Sequence, residues 1–266
     1  MFGALRLKMP TIVLTVAYNG APFSGFARQS GSILTVQDEL ERALSLLCRR
    51  PVETECAGRT DAGVHALGQV VSFQVSDEEA RARTIRAWAR SLNALTHDDI
   101  SVRKVAFAPD GFSARFNAKS REYRYFIYTE SAAPLVMREF SWHRAGELDI
   151  AAMNEGASYL LGEHDFKSFC VAESSIGKPT CRNVMQLEVD EVEVVGESFV
   201  QITIAASSFL HSMVRTVAGT LVAVGAHKRD PEWVKTALEA CDRGAAGEKA
   251  PACGLIFWHV DYEGLQ

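Results

Sequence analysis

Between two segments that alternate as strands, Gly58-Arg59-Thr60-Asp61-Ala62-Gly63 sets an arginine and a carboxylate two residues apart, between two glycines. Gly58, Asp61 and Gly63 are types that a turn uses, for positive φ, backbone room or short local hydrogen bonds. A turn does not need Arg59. One reading is a hairpin loop with a surface ion pair of little energetic value. The other is a carboxylate held at a strand end beside a fixed cation, as an active site would use it.

Three further stretches carry chemistry. From Phe112 to Phe126, four cations (Arg115, Lys119, Arg121, Arg124) interleave with five aromatics. Cations bind phosphates and aromatic faces stack on bases, so this composition suits a single-stranded or flipped nucleotide. An amphipathic strand with one aromatic face in the core explains Phe116 and Phe126; RNA contact is the expectation for Tyr123 and the arginines. In Ser207 to Arg215, a helix would set His211 and Arg215 one turn apart, away from the Phe209/Met213 stripe, by default as a solvated pair. Lys178-Pro-Thr-Cys-Arg182-Asn183 reads as a basic surface loop.

Other site classes fail. The Gly58 to Gly63 loop lacks the Lys-Ser/Thr of a phosphate-binding loop, and no G-x-G-x-x-G follows a strand to open a helix. No G-x-S-x-G elbow or cysteine-histidine constellation is present. His65, a lone histidine beside a loop, reads as structural. Cys48, Cys56, Cys170, Cys181, Cys241 and Cys253 are scattered without zinc-like spacing and read as reduced core thiols.

The elements that must position these residues follow from periodicity. Thr11 to Tyr18 alternates as a strand. Thr35 caps a helix with Asp38 as its capping-box partner and Val36, Leu40, Ala43, Leu44 and Leu47 as the apolar stripe. Val52 to Cys56 and Gln69 to Val75 are strands, Ile85, Trp88, Leu92 and Leu95 mark a helix, and Ser101 to Phe107 is a strand. That β-α-β-β-α-β order is the ferredoxin-like, split βαβ pattern, an antiparallel sheet with helices on one face, and RNA-recognition modules share it. After a boundary near Asp110-Gly111 a second α+β half follows, residues 112–266 after 1–111, without a repeat in sequence. It comprises a strand from Arg121 to Thr129, a helix from Ile150 to Leu161 capped by Asp149, a hairpin through Gly196, a helix from Ser208 to Val224, a helix capped by Asp230 with Pro231 at its first position, and a strand from Gly254 to Tyr262. The polar loop from Cys170 to Arg182 is expected to be mobile.

At 266 residues, 47% hydrophobic and 23% charged, the chain has the composition of a globular protein, one large domain or two small ones. The N-terminus enters a strand pattern without a leader-like apolar run, and no segment approaches the roughly 20 apolar residues of a membrane span. A cytoplasmic protein is expected. A net charge of −5 speaks against nonspecific coating of nucleic acid but leaves room for a local basic cleft.

Taken together, Tyr18-Asn-Gly, Val36-Gln37, Ala57-Gly-Arg-Thr-Asp-Ala-Gly-Val-His65, Gly68-Gln-Val, Phe112-Ser-Ala-Arg-Phe116, Arg121-Glu-Tyr-Arg-Tyr125, His164-Asp-Phe, Arg182-Asn-Val, Phe209-Leu-His-Ser-Met-Val-Arg215 and Gly254-Leu255 resemble, in order, the tRNA pseudouridine synthase A family. The resemblance implies two ferredoxin-like halves sharing a mainly antiparallel sheet, and a homodimer acting on tRNA without metal or organic cofactor. The reaction implied breaks the N-glycosidic bond of uridine 38, 39 or 40 in the anticodon stem-loop, rotates the base and rejoins it through carbon. It implies Asp61 as the catalytic carboxylate, nucleophile or base, with Arg59 paired to it and helping hold the space left by the flipped base. It also implies Tyr123 stacked on the uracil and able to carry a proton, Arg215 in the cleft near Asp61, and Leu255 against the base. Arg28, Arg124 and Lys178 are the expected tRNA contacts. Two departures stand out: Phe26-Ala27-Arg28-Gln29 replaces the family's Trp-Gln-Arg-Gln, and Ser212 follows His211 where a second histidine is common.

Two rivals belong to other classes. A tRNA-binding or folding-assistance protein on the same scaffold would have no use for Asp61, Arg59 and Tyr123 together. A metal-dependent RNA enzyme would lose activity to a chelator, and loss is not expected here.

Overall fold

The computed structural model describes residues 9–264. In chain order the first half contains β1 (Thr11–Tyr18), α1 (Val36–Cys48), β2 (Glu55–Cys56), β3 (His65–Gln74), α2 (Asp77–Ala82), α3 (Ile85–Leu95) and β4 (Ile100–Ala108). The second contains β5 (Ala118–Tyr128), β6 (Trp142–His143), α4 (Ile150–Ser158), β7 (Gly162–Asp165), α5 (Ala172–Ser175), β8 (Cys181–Val194), β9 (Glu197–Ala206), α6 (Met213–Gly225), α7 (Glu232–Glu239) and β10 (Leu255–Tyr262).

Side-chain caps set several helix starts, each worth about 1 kcal/mol. The Thr35 hydroxyl accepts from the Asp38 N–H at 3.2 Å and donates to its carboxylate, so Asp38 pairs with the cap's side chain rather than its backbone. Asp149 accepts from the Ala152 N–H, as expected. Ser76 and Glu79 form a reciprocal capping box that opens α2, a short helix whose S-x-x-E signal went unread. Asp230 gives α7 no side-chain cap; its carbonyl accepts from Trp233 N–H instead. The β8–β9 hairpin turns through Val195 and Gly196, both at positive φ.

Ten strands form one sheet in the order β4-β1-β3-β10-β5-β9-β8-β7, with β2 on β3 and β6 on β5. Every pair is antiparallel except β10 with β3 and β6 with β5. Both halves show the same split βαβ order, but in the first the second strand shrinks to two residues. Residues 52–54, which the sequence pattern adds to that strand, are held by α1 instead, Val52 N–H donating to Ser45 Oγ and Thr54 N–H to Glu41 Oε1. Strand β2 pairs with Val71 and Ser72, and β10 from the far end of the chain takes the same edge further along, at His65 and Ala66. The segment between β2 and β3, residues 57–64, is therefore expelled from the sheet at the seam between the halves.

A single large core runs across that seam, from Leu40 and Trp88 in α1 and α3 to Met153, Val217 and Leu221 in α4 and α6. Strand alternation puts Arg121, Tyr123 and Tyr125 on this helix-covered face, while Phe126 and Tyr128 join a smaller cluster on the opposite face. Phe126 is buried as expected. Phe116 is not: it is 76% exposed in the loop before β5, beneath the Arg115 guanidinium. Of the cysteines only Cys170 is buried, and Cys181 is exposed, so the expected set of core thiols does not form.

Arg121 is the buried fastening at the seam. Its guanidinium donates to four carbonyls: Ala57 (3.1 and 2.9 Å) at the root of the expelled loop, Arg115 (2.6 Å), Ala118 (3.1 Å) and Ser207 (2.6 Å). Those five bonds use every N–H an arginine has. This corrects the expectation of RNA contact at Arg121, whose burial lowers its pKa from the ordinary arginine value. Arg121→Ala leaves those carbonyls short of donors and should lower the unfolding free energy by on the order of 3 kcal/mol in urea titration. Arg121→Lys, with three donors on a point charge, should recover only a minor part of it.

Candidate active site

The expelled loop is pinned at nearly every residue. Gln69 Nε2 donates to the Gly58 carbonyl at 2.7 Å, Phe26 N–H to the Thr60 carbonyl at 3.0 Å, and the buried Tyr18 and Thr60 hydroxyls meet at 2.8 Å. A turn closes from Asp61 carbonyl to Val64 N–H, and Gly63 takes φ +76°, which favours glycine. Gly58 answers to space: a Cβ there would lie 3.1 Å from the Phe257 ring. His65 is structural, buried with Nδ1 accepting the Gly20 N–H at 3.0 Å, and burial lowers its pKa.

This scaffold delivers Asp61 to the start of α6, in the other half of the chain. Arg215 Nη1 donates to Asp61 Oδ2 at 3.2 Å while its Nε is anchored on the Ala250 carbonyl at 2.8 Å. Ser212 Oγ donates to the same Oδ2 at 2.8 Å, and His211 Nε2 lies 3.4 Å from Oδ1. The carboxylate thus gains charge-assisted hydrogen bonds and the favourable end of a helix dipole. The expected partner does not supply them: among the described residues Arg59 forms no ion pair with Asp61. The turn at Asp61 aims its side chain at α6, whereas Arg59, which also lines the cleft, borders a shallow depression beside Arg28, Glu41 and Glu53. The helix expected from Ser208 begins only at Met213, so His211 precedes it, 53% exposed on the side chain and within reach of the carboxylate.

Asp61 opens into a cleft of about 1540 Å³, between Gln37 of α1 and Met213, Val214 and Arg215 of α6. Arg59, Tyr123, Arg215, Leu255 and Lys178 all line it. The Tyr123 ring meets Phe209 and Phe257 edge-on, with centroids 5.1 and 4.8 Å away. Burial holds its pKa well above the ordinary tyrosine value, and the Asp61 carboxylate adds to that, so it remains a neutral phenol at working pH. The basic loop expected at the surface also reaches the cleft, through Lys178, Pro179 and Arg182.

Two candidate contacts fall elsewhere. Arg124 lies on the opposite face of β5, its guanidinium 4.0 Å from the Trp258 ring centroid and paired with Glu122 at 2.8 Å. It alternates with Tyr123, so both cannot face the cleft. Arg28 is engaged by Asp38 at 3.4 Å and by Glu41, an acidic environment for a phosphate contact. Ser212 is the residue the sequence reading missed; its only signal was its place one residue after His211, where the family often has another histidine. Among the described residues no cluster of His, Cys, Asp and Glu is arranged to hold a metal ion. No helix there is long and apolar enough to cross a membrane.

An aspartate clamped at a helix start, near a tyrosine and at the floor of a cleft lined by Arg59, Lys178, Arg182 and Arg215, is an arrangement that can do chemistry on an extruded base. A family model described as tRNA pseudouridine synthase matches residues 14–117 and 157–263. The chain is 44% identical over 251 residues to tRNA pseudouridine synthase A of Vibrio parahaemolyticus, covering 94% of this chain and 91% of that one. It is 42% identical over 261 residues to tRNA pseudouridine synthase A of Bacillus subtilis, covering 97% of this chain and all of that one. A chain of a Cbf5-Nop10-Gar1 complex aligns with a TM-score of 0.40 at 11% identity, over 83% of this chain and 46% of that one, too remote to bear on the site. The chain belongs to the tRNA pseudouridine synthase family, isomerases of uridine in tRNA.

The geometry separates the cations. Lys178→Ala should weaken tRNA binding and reduce the slope of log K against log salt by about 1. Arg124→Ala should leave that slope unchanged and lower thermal stability instead, as titrated binding and melting curves would register.

Proposed function

We propose that the chain converts uridine to pseudouridine at position 38, 39 or 40 of the tRNA anticodon stem-loop, with Asp61 as the catalytic carboxylate. One observation carries this reading: Asp61 is 21% exposed on its side chain at the floor of a large cleft, fixed by Arg215 and within the electrostatic reach of Tyr123. A structural aspartate has no need of such a cleft. The positions and the homodimer rest on the motif resemblance, and the cytoplasmic location that completes the proposal rests on the sequence pattern.

A uridine inside a stem must leave the stack before its sugar can be attacked, at a cost of a few kcal/mol in unstacking. The cleft is large enough for the extruded nucleotide. Tyr123 and Leu255 receive the uracil, and Arg59 holds the space it leaves. Asp61 then either attacks C1′ or removes the C2′ proton; in both routes the C1′–N1 bond breaks and a C1′–C5 bond forms. The C5 proton departs and N1 ends protonated, so substrate and product are isomers. Arg215 fixes the carboxylate in advance, which saves reorientation when charge moves. Tyr123, kept as a phenol, has a proton to donate but no phenolate to take one.

The test is an unmodified tRNA with uridine at positions 38 to 40, scored for pseudouridine by position with binding measured in parallel. Wild type should convert it, and Asp61→Asn should bind while losing at least ~10²–10⁴-fold in turnover. If both bind and neither converts, the chain is a tRNA-binding relative without the chemistry. Tyr123→Phe should keep binding and turn over on the order of ten-fold more slowly; wild-type turnover would remove the phenol from any essential proton transfer.

A further inference from the structure

Ser212 occupies the N-cap position of α6 but does not behave as a cap. A capping serine has extended backbone and turns its hydroxyl oxygen to the N–H groups of the first helical turn. Ser212 instead sits at φ +60°, ψ +11°, a left-handed conformation uncommon for residues other than glycine, and makes no side-chain hydrogen bond to its helix. Its hydroxyl is spent on Asp61 Oδ2, 2.8 Å away and 151 residues earlier in the chain. The conformation is imposed from both sides. The His211 carbonyl accepts Val171 N–H, and the Ser212 carbonyl accepts the Thr216 N–H at 3.0 Å and its hydroxyl at 3.2 Å. Strain of this kind persists where the surroundings overdetermine it, as they do at functional sites.

The two carboxylate oxygens are therefore not equivalent. Oδ2 receives both Ser212 Oγ and Arg215 Nη1, whereas among the described residues Oδ1 has only the exposed His211 imidazole as a polar neighbour, at 3.4 Å. Two donors on one oxygen fix the rotation of the carboxylate about its Cβ–Cγ bond. One donor would leave that torsion soft, because terminal sp³–sp² torsions are broad.

We infer that Ser212 is a positioning residue for the isomerisation: with Arg215 it ties up Oδ2 and presents Oδ1 as the oxygen that reacts at the sugar. The role rests on Asp61 being the catalytic carboxylate. Ser212 does not reach into the reaction itself; it acts through the aspartate, and it is only 8% exposed. Its loss should lower turnover and leave tRNA affinity alone, because the hydroxyl is consumed inside the protein.

Substitution separates the hydroxyl from the backbone. Ser212→Gly takes φ +60° without strain and deletes the donor, while Ser212→Asn tolerates the same conformation and restores an N–H donor. With the full chain and unmodified tRNA, Ser212→Gly should lower kcat roughly ten-fold, with KM, tRNA binding and melting temperature unchanged, and Ser212→Asn should recover most of the kcat. The inference is overturned if Ser212→Gly turns over like wild type, if its loss appears in KM or melting temperature instead, or if Ser212→Asn is no better than Ser212→Gly. Asp61→Asn run alongside keeps the two ideas apart. If it retains turnover, the assignment of Asp61 fails; if it is inactive while Ser212→Gly is unimpaired, only the role of Ser212 fails.

Discussion

The contact between Asp61 and Arg215 spans 154 positions of sequence and closes at 3.2 Å. Everything around it meets one constraint: a carboxylate must be fixed on a cation and still remain open to the cleft. Burying the pair completely would satisfy the first demand and defeat the second, at a desolvation cost that rises with depth. The compromise is a pair on the cleft floor, its aspartate side chain 21% and its arginine side chain 13% exposed. Anchoring Arg215 on the Ala250 carbonyl leaves one end of the guanidinium to reach out.

Meeting that constraint requires the two halves to be one body. Strand β10 achieves this by filling the edge of β3 that β2 abandons, pairing in parallel with β3 and antiparallel with β5. The same substitution expels residues 57–64 from the sheet, so the join between halves and the position of Asp61 have one cause. Arg121 then locks the join by donating to the loop root and to the segments before β5 and after β9. Its neighbour two residues on, Tyr123, emerges on the same face beside the loop it stabilises.

Charge is arranged on the same plan. The chain carries a net charge of −5, yet Arg59, Arg115, Lys178, Arg182 and Arg215 all line the cleft. Much of the acidity is elsewhere, with Glu188, Asp190, Glu191 and Glu193 exposed along β8. Cations are thus gathered at the cleft, beside Glu53 and Glu55, in a protein whose net charge is negative.

Periodicity and caps made most elements legible, because α1, α3 and β4 bury faces that repeat within the element itself, while β1 is buried on both faces. The motif around Asp61 was legible too, since a loop between strands with no structural use for Arg59 calls for another explanation. Boundaries failed where another element intervened: residues 52–54 are held by Ser45 and Glu41 of α1 rather than by β3, and α6 began five residues late, with His211 and Ser212 turned to Asp61 ahead of it. The sequence by itself determined which residues were available for chemistry: an aspartate in a glycine-bounded loop, a basic-aromatic strand, and an arginine one turn beyond a histidine. Only the tertiary structure decided that Arg215 and Ser212, rather than Arg59, hold the carboxylate, and that Arg124 turns away from the cleft. Neighbours in sequence share a strand but alternate in direction, and the partner of a loop side chain is chosen by whichever element the sheet brings opposite it.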